Sequence, residues 1–562
     1  MIRAASLLIL APALTLAQDA PAAKNETPRD LHLRVDKVFA KWDSTLSPGC
    51  ALSVIRDGTI IYKRGYGMAD LDHDIPITPE TVFHVASISK QFTAAAIILL
   101  AQEGKISLDD DVHKYIPDLP GFGARITIRQ LVHHMSGLRD QWSLLGLAGW
   151  RYSLDLITDD DVLDVMSRQK ELNFTPGTEY SYCNTGFTLL AQIVKRVSGE
   201  SLREFTSQRI FQPLGMRSTH FRDDHAEIVK HIAYGYVDGE GENSYRLSVT
   251  NFDTVGATSL LTTVEDLAHW DENFYHPRVG GPEFVKQQLE RGKLNSGKMI
   301  DYAFGLSIGK YRGLPTVGHS GADAGYRADF LRFPEQHFAV ACLCNKGETN
   351  PSELTQRVAD IYLAAEFKEP APALSEATPK SVAVAAQRLA QYPGLYLKKD
   401  DERAVRVTVK DGKVSLAFSN GGGREMTALS DSRFRLASGP GELTFPDAAG
   451  GPAQRLSIHF PGAKQPDVYE RVAEFQPTPN ELAAFAGSYV SQEIDPVYRI
   501  TVEGGSLVLK RLKSKPETLE PTITDTFWGL NGDLHFQRGP DGKISGFTLN
   551  AGRVKNFHFA KP

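Results

Sequence analysis

The spacing of apolar residues changes along the chain and divides it into regions. Residues 31–367 alternate between strand-like and helical patterns, starting with two apolar runs at 50–55 and 60–62 that flank a polar turn. The clearest helical pattern covers residues 87–103, where apolar side chains recur every three or four positions and Gly104 is a suitable terminator. These patterns predict a first region of mixed helices and strands.

A Pro/Ala-rich segment at residues 369–390 predicts a linker after that region. Beyond it, short alternating segments replace the helical pattern, and Asp411-Gly412 is a dipeptide typical of hairpins. The tail also repeats itself at an offset of 93 residues: Gly394-Leu395-Tyr396 recurs as Gly487-Ser488-Tyr489, and Arg406-Val407-Thr408-Val409 as Arg499-Ile500-Thr501-Val502. The repeat predicts two copies of one small antiparallel barrel or sandwich, at residues 391–473 and 474–562. Neither copy has a metal-binding cluster, which indicates a structural or substrate-shaping role.

The N-terminal residues have the composition of an export signal. Arg3 precedes an apolar stretch at residues 4–16, and Thr15-Leu16-Ala17 places small residues where a signal peptidase requires them. We therefore expect a signal peptide at residues 1–17, a tether at residues 18–30, and export to the periplasm or the medium. The apolar stretch is shorter than the roughly 20 residues that cross a bilayer, so we expect no membrane span.

The charge balance limits the expected partners, and the cysteine count limits the expected disulfides. Lys and Arg number 62 against 68 Asp and Glu, a net charge of −6, so we expect no nucleic-acid partner. Four cysteines allow two disulfides at most, and Cys50 could pair with either Cys342 or Cys344 if their strands are neighbours. The sequence lacks metal-site spacings, so we expect no metal or cofactor and a small molecule or peptide as substrate. The oligomeric state stays open.

The pattern Ser-x-x-Lys occurs three times, and only its context distinguishes the copies. Ser87 and Lys90 stand at the start of the long apolar helix, where residues three apart share one face. Lys90 can therefore reach the Ser87 hydroxyl, and the helix N-terminus places backbone N–H groups beside any negative charge that develops. The copies at Ser167 and Ser307 lie in a polar run and in a strand pattern. On this motif alone, a helix cap with a surface lysine would be the commoner interpretation.

Two later motifs change that interpretation. Tyr182 and Asn184 precede a helix with one apolar face, where an isolated asparagine would usually be a cap. His319 and Gly321 lie between two strand patterns, where an isolated histidine would usually be structural. In this order the three motifs resemble the signature of serine β-lactamases and penicillin-recognising enzymes: Ser-x-x-Lys, Tyr-x-Asn, and Lys-Thr-Gly or its His-x-Gly variant.

This resemblance covers about residues 31 to 367 and is closest to the group of class C β-lactamases, esterases and D-aminopeptidases. It implies an α+β catalytic domain at residues 31–368, with an antiparallel sheet flanked by helices and a helical subdomain. D-aminopeptidases of this group have two small lipocalin-like β-barrels after that domain, as the tail repeat suggests. The resemblance implies these roles: Ser87 as nucleophile, Lys90 as its proton acceptor, Tyr182 as partner acid/base, Asn184, His319 and Gly321 in substrate binding, and the backbone N–H groups of Ser87 and Ala322 as oxyanion donors.

Elementary chemistry is consistent with these roles. A serine hydroxyl needs an adjacent base, and a lysine serves at neutral pH only if its pKa falls by about 3 units, which takes roughly 4 kcal/mol. His319 stands where a lysine often stands in this family, and a mostly neutral imidazole is a weaker anchor for the carboxylate of a β-lactam. We therefore expect hydrolysis of a small amide, peptide or ester ahead of β-lactam turnover.

Other readings of the sequence remain open. Gly318 to Ala322 resembles a Gly-x-Ser-x-Gly nucleophile elbow centred on Ser320, although its fifth residue is Ala322. Cys183, between the tyrosine and the asparagine, could be taken for a nucleophile but is better explained as a small neutral filler. The remaining alternatives are a β-lactamase and a penicillin-binding sensor that is acylated without turnover.

Overall fold

A computed structural model of the protein describes residues 27–370, 381–400, 403–419, 421–436, 441–446, 451–460 and 465–562. The expected signal peptide and most of the expected tether lie outside these residues, as does the middle of the expected linker. Within the described part of the chain, none of the helices is both long enough and apolar enough to cross a membrane.

The first region contains thirteen strands among its described residues. They are β1 (Cys50–Arg56), β2 (Thr59–Tyr66), β3 (Met68–Asp70), β4 (Ile75–Pro76), β5 (Phe83–His84), β6 (His220–Phe221), β7 (Tyr236–Asp238), β8 (Tyr245–Leu247), β9 (Leu260–Thr262), β10 (Ser307–Tyr311), β11 (Leu314–Asp323), β12 (Tyr326–Phe333) and β13 (Phe338–Cys344). Its α-helices are α1 (Pro28–Phe39), α2 (Ser89–Gln102), α3 (Ile128–Val132), α4 (Gln141–Leu147), α5 (Asp159–Ser167), α6 (Asn184–Ser198), α7 (Leu202–Thr206), α8 (Gln212–Leu214), α9 (Val264–Glu272), α10 (Gly281–Gln288) and α11 (Pro351–Tyr362).

A six-stranded antiparallel sheet organises this region, in the order β10-β11-β12-β13-β1-β2. One face is covered by α1 and α11, and the other by the helical part of the domain. Helix α1 begins at Pro28, inside the residues assigned to the tether, because Thr27 and Asp30 form a capping box there. Cys50 lies opposite Cys344 across β1 and β13, and the two form the disulfide. Of the two pairings left open above, the structure selects Cys344.

The tail folds into two eight-stranded antiparallel units in which neighbouring strands follow chain order. The first is a closed barrel of β14 (Gly394–Lys398), β15 (Arg403–Lys410), β16 (Lys413–Phe418), β17 (Gly421–Ala428), β18 (Arg433–Leu436), β19 (Glu442–Thr444), β20 (Arg455–His459) and β21 (Asp467–Val472), preceded by α12 (Ala386–Leu389). The second follows α13 (Pro479–Phe485) and comprises β22 (Gly487–Tyr489), β23 (Tyr498–Glu503), β24 (Ser506–Lys510), β25 (Glu517–Pro521), β26 (Thr526–Gly529), β27 (Gly532–Arg538), β28 (Ile544–Ala551) and β29 (Val554–Ala560).

The second unit is a nearly closed barrel. A bridge between Val490, just after β22, and Ala560 in β29 brings its first and last strands together. The repeated motifs of the sequence begin equivalent strands, since Gly394 opens β14 and Gly487 opens β22. The expectation of an α+β domain followed by two β-barrels is confirmed.

The second barrel packs directly on the first region of the chain. Its buried apolar residues form one continuous cluster with those of the helical part of the domain, whereas the first barrel has an apolar core of its own. At the interface the Arg139 Nη1 lies 2.5 Å from the Glu493 carboxylate, and both side chains are almost completely buried. The same arginine donates to the backbone carbonyls of Lys555 and Asn556, at 2.8 Å each. The barrel that comes last in sequence is therefore the one joined to the core of the first region.

Candidate active site

Ser87 lies in a short 3₁₀ turn, Ala86–Ile88, that leads into helix α2. Ala86 has a φ of 48°, a left-handed conformation that is uncommon for a residue with a side chain and often marks functional sites. One helical turn after the serine, the Lys90 Nζ donates a hydrogen bond to the Ser87 Oγ at 3.0 Å. The structure thus brings together the first pair of residues expected from the sequence.

The environment of Lys90 favours its neutral form. The side chain is completely buried, and this burial lowers its pKa to about 7 although Asp323 and Asp140 act in the opposite direction. Its Nζ also donates to the Asn184 Oδ1 at 2.9 Å and to the Ala257 carbonyl at 2.7 Å. In its neutral form the amine has two N–H donors, which suffice for Asn184 and Ala257, and its lone pair then faces the Ser87 hydroxyl, from which it can take a proton near neutral pH.

Tyr182 and Asn184 approach this pair from the start of helix α6. The Lys90 Nζ lies 4.9 Å from the centre of the Tyr182 ring. Burial raises the pKa of the Tyr182 phenol, and its interaction with the Ser87 hydroxyl partly offsets that rise. The phenol oxygen is buried without a well-formed hydrogen bond to any described residue. Asn184 is held in place because its backbone N–H and its Nδ2 both donate to the Asp140 carboxylate at 2.8 Å.

His319 lies on β11 and is neutral. Burial lowers its pKa to about 4, and the charge of Lys90 adds to this effect. The His319 Nδ1 lies 2.5 Å from the Ser320 carbonyl, which can only accept, so we place the proton on Nδ1. The Nε2 then accepts from the Tyr302 hydroxyl at 3.0 Å. This side chain therefore presents no positive charge at neutral pH, as its residue type predicts.

Gly321 allows β11 to lie against the backbone that carries the serine. A Cβ at this position would stand 2.2 Å from the Val85 carbonyl oxygen and 3.2 Å from the Ser87 nitrogen. Ala322 follows it, and both Ser87 and Ala322 line the same cavity. The strand and the 3₁₀ turn therefore pack directly against each other, and a residue with a Cβ would not fit at this contact.

The cavity at Ser87 has a volume of about 600 Å³. Its walls include the aromatic side chains of Trp142, Tyr152 and Tyr180, together with Asp323 and Arg553. This size suits a small molecule or a short peptide. Arg553 belongs to the turn between β28 and β29, so the second barrel contributes one wall of the cavity.

Four polar residues of the site were missed by the sequence reasoning: Asp140, Tyr302, Asp323 and Arg553. Asp323 ends β11 and accepts hydrogen bonds from the hydroxyls of Tyr152 and Thr258. Asp140 is the N-cap of α4, where its side chain accepts from the Trp142 N–H, so in the sequence it resembles an ordinary helix cap. No signal near Arg553 connects it with the other motifs, because it meets Asp140 across 413 residues of chain.

The alternative nucleophiles do not fit the geometry. Ser320 lies inside strand β11, which continues to Asp323, so there is no strand–turn–helix elbow around it. The Cys183 thiol is buried against the Leu138 carbonyl at 3.3 Å, and burial raises its pKa to about 12. A thiol in that environment is not a thiolate at neutral pH.

Two groups of potential metal ligands occur among the described residues. One is Cys50, Cys342 and Cys344, of which two form the disulfide. The other is an acidic cluster on the surface around His225. Neither group lines the cavity at Ser87.

The family model named Beta-lactamase matches residues 36–365. This chain belongs to the β-lactamase family. Penicillin-binding protein 4* of Bacillus subtilis (strain 168) is 30% identical over 406 residues, 69% of this chain and 88% of that protein. A D-aminopeptidase of Brucella anthropi is 28% identical over 322 residues, which are 57% of this chain and only 60% of that relative.

Among solved structures, the octameric penicillin-binding protein homologue from Pyrococcus abyssi is similar, with a TM-score of 0.55 and 25% identity. The match covers 79% of this chain and 99% of that one. These comparisons confirm the resemblance found in the motifs. This β-lactamase-family protein is a serine hydrolase, and D-aminopeptidases are among its relatives.

Proposed function

We propose that this β-lactamase-family protein is an exported hydrolase that cleaves a small amide, peptide or ester through an acyl-enzyme on Ser87. One observation carries the proposal: the Lys90 Nζ lies 3.0 Å from the Ser87 Oγ, with a pKa lowered to about 7. A neutral amine at this distance is the general base that a serine nucleophile needs.

The chemistry then follows from the surrounding groups. Lys90 accepts the Ser87 proton as Oγ bonds to the substrate carbonyl carbon, and the resulting oxyanion is held by the backbone N–H groups of Ser87 and Ala322. The bond to the leaving nitrogen or oxygen breaks as the Tyr182 phenol donates its proton to it, and the proton held by Lys90 then passes to the phenolate. Water then attacks the acyl ester and gives a proton to the neutral Lys90, and that proton returns to the Ser87 Oγ as the acid is released. Asn184 orients Lys90 and the substrate.

The neutral state of His319 supports an amide, peptide or ester over a β-lactam as the preferred substrate. Enzymes that recognise a carboxylate usually offer it a cation, and the imidazole with a pKa of about 4 is not one. β-Lactamase activity is the second candidate because the chain has the family motifs, and a sensor that is acylated without turnover is the third.

The test is a turnover screen of D- and L-aminoacyl amides, short-chain esters and β-lactams. The wild type should hydrolyse members of the first two classes, and Ser87→Ala should lower kcat by about 10³-fold or more. Ser320→Ala is the matched control and should retain most of the activity. Loss of activity in Ser320→Ala with activity kept in Ser87→Ala would reverse the assignment.

The screen also separates the alternatives. Clearance of penicillins or cephalosporins at about 10⁶ M⁻¹s⁻¹ would identify a β-lactamase. A fluorescent penicillin or a fluorophosphonate that stays bound one to one, with no turnover of any substrate, would identify a sensor. Export is tested by sequencing the N-terminus of the protein recovered outside the cytoplasm, which should begin after Ala17.

A further inference from the structure

A cleft lies between the two barrels and is distinct from the cavity at Ser87. It consists of two cavities of about 180 and 570 Å³, which share Phe418, Ser419 and Asn531 in their walls. Strands β16 and β17 of the first barrel contribute to one side, and strands β25 to β29 of the second barrel contribute to the other. None of the described residues in these walls also lines the Ser87 cavity. Concave sites of this size typically hold a small molecule.

Arg406 of the first barrel joins the two sides of the cleft beside the smaller cavity. Its Nη1 donates to the Glu520 carboxylate and its Nη2 donates to the Pro521 carbonyl, both at 2.7 Å. Its guanidinium carbon lies 4.8 Å from the centre of the Trp528 ring, and Trp528 in turn belongs to one apolar cluster with Leu395. Because the barrels are joined here, the walls of the cleft are in place before a ligand binds, and less conformational freedom is lost on binding.

Three successive glycines, Gly421–Gly423, line the smaller cavity from strand β17. Of the three, Gly421 alone has a φ that favours glycine, 123°. A Cβ at Gly422 would meet no atom of the described residues within 4 Å, and one at Gly423 would meet only the Ser415 Cβ at 3.4 Å, an ordinary contact. Packing therefore does not explain the last two glycines, although glycine weakens a strand. Glycine inside a strand often marks a place where a ligand approaches the backbone closely.

The charged side chains in the walls favour a ligand without net charge. They are of both signs: Glu517, Glu520 and Asp533 on one hand, Arg403 and Lys555 on the other. A cleft that selects a phosphate or a polyamine concentrates charge of one sign, and this nearly balanced set does not.

Asparagine side chains supply neutral hydrogen-bonding groups. Asn531, Asn550 and Asn556 line the larger cavity, and a side-chain amide both donates and accepts hydrogen bonds, as a hydroxyl group does. The Asn531 Oδ1 lies 4.0 Å from the position that a Cβ on Gly421 would take, so this side chain extends toward the glycines of the opposite wall. The Asn550 Oδ1 accepts the Asn556 N–H at 2.8 Å, which fixes the orientation of the Asn550 amide.

Aromatic rings complete the smaller cavity. Phe418 and Trp528 line it, and Trp528 is 5% exposed. The Trp528 Nε1 has no hydrogen-bond partner among the described residues, whereas a buried indole N–H usually has one. Sugar rings present C–H groups on their faces and hydroxyl groups at their edges, which matches aromatic rings placed beside neutral amides. We propose that the cleft between the two barrels is a binding site for a neutral oligosaccharide.

Titration of the purified protein with chitotetraose, cellotetraose and maltotetraose tests this proposal. The three are neutral tetrasaccharides that differ in linkage and in acetamido groups. We expect at least one of them to bind with a Kd between about 10 μM and 1 mM and to change the tryptophan fluorescence. Trp528 is one of five tryptophans in the chain, and Trp528→Phe should remove that change in fluorescence.

Two variants locate the bound sugar by calorimetry. Gly422→Phe fills the cleft, because a Cβ at Gly422 meets open space, and it should weaken binding at least about tenfold. Asn531→Gly keeps the left-handed φ of 57° while removing the amide, and it should also weaken binding about tenfold. Gly451→Phe is the matched control, because a Cβ there also meets nothing within 4 Å and Gly451 does not line the cleft. It should bind as the wild type does.

The proposal is overturned if none of the three tetrasaccharides binds at millimolar concentration. It is also overturned if Gly422→Phe and Asn531→Gly both bind as tightly as the wild type, because the sugar then occupies another cavity. Thermal unfolding checks that the variants are folded, and if Gly422→Phe is not, Asn531→Gly decides the outcome. Tetraalanine serves as a peptide probe: if it binds in a manner that depends on Asn531 while no sugar binds, the cleft is a peptide site and the proposal is wrong.

Discussion

Replacing Lys90 with methionine should remove activity and, at the same time, change how stability depends on pH. An unfolded lysine has a pKa near 10.5, and burial in the native protein lowers this value to about 7. The folded state therefore binds the proton more weakly than the unfolded state. When Lys90 is protonated in both states, this difference lowers the free energy of unfolding by about 5 kcal/mol. That cost is present in full below the folded pKa, and it diminishes as the pH rises from about 7 toward 10.5.

Lys90→Met removes this dependence. Between about pH 6 and pH 9 the wild type should gain nearly two pKa units of stability, about 3 kcal/mol, relative to the variant. The hydrogen bonds that the methionine cannot make to Asn184 and Ala257 cost the same at both pH values, so they cancel from this comparison. The direction of the effect is therefore fixed: relative to the wild type, the variant is most stable at acid pH.

Urea unfolding followed by tryptophan fluorescence measures the difference, since Trp42, Trp142, Trp150 and Trp270 lie in the catalytic domain. Lys286→Met is the matched control, because its side chain is 78% exposed on helix α10, and its effect on stability should be equal at both pH values. If Lys90→Met changes the free energy of unfolding equally at both pH values, Lys90 is not held neutral and the argument for its role as a base fails.

Two further predictions concern the backbone at the serine and the docking of the second barrel. Gly321→Ala should lower kcat at least about tenfold while leaving the protein folded, because the added Cβ would push β11 away from the Val85 carbonyl. Steady-state kinetics together with an unchanged circular dichroism spectrum would show this effect. Unaltered kinetics would refute it. Arg139→Met should destabilise the protein by about 3–5 kcal/mol, because it leaves the Glu493 carboxylate buried without its partner. Thermal unfolding measures this loss of stability. Arg168→Met is the control, because this nearby arginine is partly exposed and its loss should destabilise the protein far less.

The residues of the site that could be predicted from the sequence are those that share a short segment. Ser87 and Lys90 are one helical turn apart, so their contact follows from helical spacing alone. Tyr182 and Asn184, like His319 and Gly321, were found through the order of motifs rather than through geometry. Their proximity to Ser87 depends on how β11 and α6 pack in the folded domain, and a local sequence pattern does not predict that packing.

The fold shows the same division between local and distant information. The 93-residue repeat predicted two copies of one β unit, and its landmarks Gly394 and Gly487 open equivalent strands, β14 and β22. Which barrel docks on the catalytic domain was not predictable, because Arg139 and Glu493 are 354 residues apart and each resembles an ordinary surface charge in the sequence. The place of Arg553 in the cavity could not be predicted for the same reason, since it is 413 residues from Asp140.

The shared apolar core has a consequence for shortened versions of this protein. Trimming from the C-terminus removes the second barrel first, although that barrel covers the apolar surface of the helical region and supplies one wall of the cavity. The first barrel, which has a core of its own, would be the simpler part to excise, yet it lies in the interior of the sequence. A gene fragment that ends at the linker should therefore yield an aggregation-prone, poorly soluble protein. An internal deletion that joins the linker to α13 should instead preserve the catalytic unit.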